Sequence, residues 1–315
     1  MNKIGAVILN NIGGGMNIWV DHLPAPYESV MGQGFEIGED LAKGGNVAVA
    51  IQRLGLPAAI IGKIGCDEAG DRDYNWLKES GVDCSCLIRS PEAKTGQGLG
   101  INERGTGRNY IVTGESSSKW LTAEEVEAGL KALSPAEFFI TGFEIKEELV
   151  LPAAEKAKAL GMQVVLNPSP LPKVAMGEIP YVDYFVVNDI EAIKLLGLPE
   201  EELEPRQACF DLQAKYKTPN VIITLGGRGY AGLNGSHYFS GEPVPVSPIV
   251  DTSGAGDGFL SAMVFKLHEG KDLEQACRWA NKYAARVVLV DGTLKGYSTV
   301  PELQEFYRLR GESLD

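Results

Sequence analysis

Three histidines and five cysteines are the only imidazole and thiol metal ligands in a chain of 315 residues, and their placing excludes more than it offers. His22, His237 and His268 share no metal-ligand spacing, and of Cys66, Cys84, Cys86, Cys209 and Cys277 only Cys84 and Cys86 stand close together. Neither a zinc module nor a disulfide framework fits this pattern. Reduced, mostly buried thiols in a cytoplasmic protein are the expectation. Positive charge is also scarce, with 29 Lys and Arg against 42 Asp and Glu and a formal net charge of −13. That deficit argues against nonspecific binding to nucleic acid or to an anionic membrane. An anionic ligand would have to be held locally, by backbone N–H groups, a metal ion and a few cations. No apolar run approaches the ~18–20 residues that a membrane span needs, and the apolar stretch after Met1-Asn2-Lys3 is too short for a secretory signal. Gly-x-x-x-x-Gly-Lys-Ser/Thr is missing, which removes a P-loop kinase. Gly13-Gly14-Gly15 follows a strand candidate, but the third glycine of a dinucleotide fingerprint would fall on Ile18.

What is present is a globular composition, 44% hydrophobic, long enough for one main domain with an appendage. Short β-branched runs alternate with stretches of helical period, the pattern of a parallel sheet covered by helices. The strand candidates are Ile4–Leu9, Ala58–Lys63, Phe138–Thr141, Val164–Leu166, Tyr184–Val187 and Val221–Leu225. Asn46–Leu54 carries Val47, Ala50, Ile51 and Leu54 on one helical face, and a longer apolar stripe from Leu273 to Val288 reads as core packing. Two segments break the alternation, about 16–39 and 96–113. Both have hairpin character and together predict a small separate sheet, with a turn over 105–107. The acidic run 200–202 reads as a solvated loop.

The most informative segment is Asp251-Thr252-Ser253-Gly254-Ala255-Gly256-Asp257-Gly258-Phe259, which leads into an amphipathic stretch, Leu260 to Gly270, that reads as a helix. Gly254, Ala255 and Gly256 let main chain approach a ligand, and their N–H groups lie at the positive end of the helix dipole, which makes an anion site. A carboxylate beside an anion site is unfavourable for stability alone. Asp257 is therefore expected to take a proton from a hydroxyl that attacks the bound anion, the chemistry of a phosphotransferase.

Two further segments end strands, where an open α/β sheet places ligands, and a third is a glycine-rich entry to a helix. Asn188-Asp189-Ile190-Glu191 ends a strand and opens a helix; Asn188 and Glu191 could meet phosphates and a metal, or could simply form a helix cap. Thr224-Leu225-Gly226-Gly227-Arg228-Gly229 also ends a strand, and could contact phosphate or be a turn into the strand from Tyr230 to Leu233. Lys43-Gly44-Gly45-Asn46 opens the first helix.

The nonapeptide from Asp251 resembles the C-terminal signature of the ribokinase-like (PfkB) carbohydrate kinase family, Asp-Thr-x-Gly-Ala-Gly-Asp-x-Phe, and the other segments follow in family order. The resemblance implies an α/β fold, a ribokinase-like three-layer α/β/α domain over residues 1–315 with a mostly parallel central sheet. It also implies a small β-sheet lid from about 16–39 and 96–113, a possible dimer contact. The implied activity is ATP-dependent phosphorylation of a hydroxyl on a small sugar or sugar-like metabolite. On this resemblance Asn188 and Glu191 organise Mg²⁺ largely through water, Thr224, Gly226, Gly229 and Asn281 meet the nucleotide, and Asn46 and Glu144 face the sugar. Asp251 and Gly292 would lie beside a monovalent cation such as K⁺. One departure is plain: the family's usual substrate-binding aspartate is replaced by Gly15, with Asn10, Asn11 or Asn17 as candidate substitutes. A nucleoside kinase of the same fold, or a catalytically silent small-molecule-binding protein, are the alternatives.

Overall fold

The computed structural model describes residues 4–104, 108–199 and 203–314, so the turn expected over 105–107 and the acidic run 200–202 lie outside the described residues. The layering is already written in the first strand, β1 (Ala6–Leu9). Successive side chains of a strand point to opposite faces, so a strand that is apolar at every position must be covered on both. Ala6 and Ile8 enter one core and Val7 and Leu9 the other. The first core contains α1 (Ala42–Leu54), α7 (Ala255–His268) and α8 (Leu273–Val287); the second contains α3 (Ala123–Ala132), α4 (Glu147–Ala159) and α6 (Pro205–Tyr216). Three layers, helix, sheet and helix, follow.

The large sheet has nine strands. Their order is β13 (His237–Gly241), β12 (Tyr230–Asn234), β11 (Asn220–Thr224), β10 (Tyr184–Asn188), β9 (Gln163–Leu166), β8 (Phe138–Thr141), β1, β4 (Ala58–Gly65) and β5 (Asp83–Ser90). Pairing is parallel except for β11 with β12 and β12 with β13. The chain lays later strands on both sides of β1, so strand order reverses there, and the crevice at its carboxyl end is where such sheets bind ligands.

The six strand candidates all form, Phe138–Thr141 with the expected bounds and the others with ends shifted by one or two residues. β5 and β13 were not anticipated. Both are half-exposed at the two edges of the sheet, and they carry little β-branched signal: Ile88 is the one β-branched residue of β5, and β13 has none. The stretch from Leu260, expected to be amphipathic, is buried from Asp257 to Lys266, because α7 is packed between α1 and α8 and has no solvent face there.

A second sheet has four strands in the order β3 (Gln33–Gly38), β2 (Gly13–Val20), β6 (Gly96–Glu103) and β7 (Asn109–Thr113). Gly13-Gly14-Gly15 is strand, not a loop after β1. Close pairing explains the residue type at its root: a Cβ on Gly13 would stand 2.5 Å from the Gly96 carbonyl oxygen. One row of this sheet is bare on the cavity side, since Gly38, Gly15 and Gly98 stand side by side across three strands, with Asn17 and Glu36 in the next row of the same face. The other face is apolar and open, with Ile37, Met16, Leu99 and Val112 in register and Phe35, Ile37, Tyr110 and Val112 exposed.

Candidate active site

Two cavities lie at the carboxyl ends of the strands, and the loop Asp251–Gly256 is the wall between them. Asp251 and Ser253 line the first, of about 260 Å³, which is closed above by the bare row of the small sheet. Thr252, Ala255 and Gly256 line the second, of about 290 Å³.

The wall is shaped by its sequence. Gly254 precedes α7 with φ 73°, in the left-handed region, and a Cβ there would lie 2.4 Å from Thr293 Cγ2. Only glycine meets both conditions. Tyr297 Oη donates to the Gly254 carbonyl at 3.3 Å, and Asp251 accepts from the N–H groups of Ser253 (2.8 Å) and Gly292 (3.3 Å). Of the first-turn N–H groups of α7, that of Ala255 donates back to the Thr252 carbonyl at 3.3 Å, while those of Gly256 and Asp257, which have no partner within the helix, are presented at the junction of the two cavities.

Asp257 sits in that first turn, buried, with Lys43 Nζ 3.4 Å from Oδ1. Burial raises its carboxyl above the usual range, Lys43 opposes this, and Asp40 reinforces it. Asp257 is thus a stronger base than an exposed aspartate. Lys43 is the residue that sequence reading passed over: its ammonium is held charged chiefly by Asp257, with Glu144 and Glu191 adding to this. Its position directly before Gly44-Gly45-Asn46 was the available signal.

The first cavity contains most of the residues expected to meet a substrate. Glu144, just after β8, lines it and accepts from Lys43 N at 3.1 Å; burial pushes its carboxyl up to about 7. Asn46 is buried at the cavity's base and not on its lining, with Oδ1 accepting from Leu41 N at 2.9 Å and Nδ2 donating to Asp40 Oδ2 at 3.2 Å. Gly15 lines the cavity with no side chain to offer. Of the suggested substitutes, Asn11 is on the lining and accepts from Ser116 and Ser118, and Asn17 is on the lining and accepts from Asn102 Nδ2 at 3.3 Å. Asn10 is buried, outside the lining, and accepts from Asn11 N. Asp40, unforeseen, also lines the cavity.

The second cavity contains Thr224, Gly226, Gly229 and Asn281, as expected for the nucleotide side. Thr224–Gly229 is also the hairpin between β11 and β12, so the turn forms and its residues line a cavity as well. A Cβ on Gly229 would strike the Gly241 carbonyl at 2.0 Å, and Arg228 is turned to Asp189. Val244, Val246, Ile249 and Phe259 make the remaining surface apolar, with no charged residue among the described lining. Such a slot fits a flat heterocycle, with its anionic tail toward the N–H groups of α7.

Asn188 and Glu191 form a reciprocal capping box on α5 (Asp189–Leu196): Glu191 N donates to Asn188 Oδ1 at 2.7 Å and Asn188 N to Glu191 Oε2 at 2.9 Å. Neither lines a cavity. No group of three acidic, histidine or cysteine side chains is gathered for a metal among the described residues. Glu191 Oε1 and the Asn188 amide group remain, a donor set suited to a hydrated Mg²⁺ and unsuited to a dehydrated ion.

Comparison with known proteins fits this geometry. Residues 27–299 match the model of the pfkB family carbohydrate kinases. A ribokinase of Staphylococcus aureus is 30% identical over 309 residues, covering 96% of this chain and 98% of its own. Among solved structures, ribokinase from Thermotoga maritima superposes with a TM-score of 0.85 at 24% identity, covering 97% of this chain and 99% of that one. The Arabidopsis thaliana ribokinase in complex with ribose and ATP gives 0.81 at 22%, covering 96% and 98%.

Proposed function

Because this chain belongs to the pfkB family of carbohydrate kinases, an ATP-dependent sugar kinase phosphorylating a hydroxyl, we propose that it carries out the transfer across the wall between its two cavities. The sugar-like acceptor occupies the first cavity under the small sheet, which serves as its lid, and ATP occupies the second. The observation that carries this reading is the shared wall: Asp251–Gly256 lines both cavities, and the first turn of α7 opens at their junction.

Asp257 takes the proton of the acceptor hydroxyl as its oxygen bonds to the terminal phosphorus; the bond from that phosphorus to the bridging oxygen of ADP breaks. The N–H groups at Gly254, Ala255 and Gly256 hold the negative charge of the phosphoryl oxygens. Lys43, released from Asp257 when the proton arrives, is free to turn toward the same charge. Thr224, Gly226, Gly229 and Asn281 seat the nucleotide, and Asn46 and Glu144 orient the acceptor. Asn188 and Glu191 would hold the waters of Mg²⁺, which neutralises phosphate charge when bound, and Asp251 with Gly292 would border a monovalent cation such as K⁺. Closure of the lid excludes water from the transfer.

Asp257→Asn is expected to lower kcat by about 10²–10⁴-fold, the range of a general base, with the Kd for ATP unchanged. Stopped-assay kinetics beside calorimetric ATP titration measure both, and an Asp257→Asn enzyme of normal kcat would defeat the assignment.

A further inference from the structure

The bare row of the small sheet leaves the acceptor cavity without a carboxylate from above. Gly15 has open space where a Cβ would point, with only the Gly98 carbonyl within 4 Å, at 3.6 Å. A carboxylate does stand below. Asp40, between β3 and α1, lines the cavity with both oxygens fixed: Oδ1 accepts from Ala42 N at 2.8 Å, and Oδ2 accepts from Thr293 Oγ1 at 2.8 Å and Asn46 Nδ2 at 3.2 Å. A carboxylate has about four acceptor directions, so three protein donors leave room for one from a ligand.

The surroundings are organised around this group. Ala42 is a non-glycine residue at φ 53°, an unfavourable conformation held in place by the bond to Asp40. Asn46, its amide oriented by Leu41 N, donates to Asp40, so a hydrogen-bonded line runs from Thr293 through Asp40 to Asn46, whose amide also favours the charged form of Asp257. Glu39, Asp40, Glu144 and Asp251 stand on the cavity lining with no Lys or Arg among the described lining residues; Glu39 is paired with Lys295, burial pushes the Glu144 carboxyl up to about 7, and Lys43 is paired with Asp257, which leaves Asp40 and Asp251 facing the cavity. This field repels anions.

We propose that Asp40 is the substrate-specifying acid of this kinase, accepting a hydroxyl hydrogen of an uncharged polyhydroxy acceptor from the body of the protein, and that sugar acids and phosphosugars are excluded. The inference rests on the proposed two-cavity transfer. Asp40 also bears on the base: Asp257 is faced by Lys43 and Asn46 from α1, by Asp40 ahead of it, by Glu144 after β8 and by Tyr297, and removing the Asp40 charge makes Asp257 a weaker base.

The test uses the full chain and a panel of neutral sugars, polyols, nucleosides, sugar acids and phosphosugars. Binding is measured by calorimetry with a nonhydrolysable ATP analogue, and turnover with ATP. A neutral compound is expected to bind, and Asp40→Asn to weaken it about 10- to 100-fold, the loss of one charge-assisted hydrogen bond, with the ATP affinity unchanged. The acid limb of kcat/KM should move to lower pH in Asp40→Asn, a shift that a purely structural role would not give. Should Asp40→Asn not fold, Thr293→Val frees Asp40 Oδ2 without removing its charge, and a weaker acceptor Kd is again expected. Equal acceptor affinity in wild type and the folded variant, or tighter binding of a phosphosugar or sugar acid than of any neutral compound, overturns the proposal. An acceptor that binds through Asp40 but is not phosphorylated overturns the kinase reading and leaves this one standing.

Discussion

Glu144 illustrates what a residue can cost a fold for the sake of a site. Its folded carboxyl titrates at about 7 against an ordinary 4.5, with burial as the main cause, Lys43 opposing and Asp257 reinforcing. Below pH 4.5 both folded and unfolded chains carry the proton and the residue is neutral to stability. As pH rises toward 7 the unfolded chain ionises first, so folding becomes less favourable, by on the order of 3 kcal/mol once both states are charged. Glu144→Gln keeps an acceptor for Lys43 N and removes the charge. It should raise Tm at pH 8 while leaving Tm at pH 4.5 close to wild type, and it should weaken acceptor binding. Thermal unfolding at the two pH values measures this, and an equal shift at both would show that the carboxyl is not perturbed. At this scale the places of Asp257 and Gly254 at the start of α7 were legible because a local motif carried them, whereas Asn46, expected to face a substrate, lies behind the lining against Asp40. Lys43 and Asp40 were not legible, since their meaning lies in partners 214 and 253 residues away.

At the scale of elements, α5 carries two readings in the same two side chains. The capping box satisfies orphan N–H groups at the helix start, worth about 1 kcal/mol, and the remaining Glu191 oxygen is the candidate Mg²⁺ contact. Glu191→Gln separates them, because glutamine still accepts from Asn188 N. Tm should stay within about 0.5 kcal/mol of wild type in stability terms, while the Mg²⁺ concentration for half-maximal rate rises about tenfold, one lost charge contact. An unchanged Mg²⁺ curve would leave the pair as a cap alone. Replacing K⁺ by a tetraalkylammonium ion in the same assay reads the Asp251 and Gly292 proposal, with a slower rate expected. Central strands were legible from their unbroken apolar runs, whereas the edge strands β5 and β13 were hidden by their scarcity of β-branched residues. The all-round burial of α7 depends on α1 and α8 lying on either side of it, which its own periodicity cannot report.

For the whole molecule, the small sheet has two faces with opposite requirements. The glycine face closes the acceptor cavity, and the opposite face exposes Phe35, Ile37, Tyr110 and Val112 together. An exposed apolar patch of this kind suits an interface, and we propose a second copy of the chain as its occupant. Light scattering is expected to give twice the mass of one chain for wild type. Ile37→Lys combined with Val112→Lys should give the single mass, since the two side chains share one row across the sheet. A wild-type protein that stays at single mass up to high micromolar concentration would remove the dimer.

The layered α/β architecture, the glycine-shaped turn before α7, the acid behind it and the order of the site segments follow from residues a few positions apart, which set periodicity, left-handed turns and helix starts. Which charges meet follows from the folded arrangement alone: one loop walls two cavities, Lys43 pairs with Asp257, and Asp40 stands below the bare row at Gly15. Electrostatic coupling and hydrogen bonding depend on separation in space, and the crossovers of a parallel sheet bring together residues that lie hundreds of positions apart in the chain.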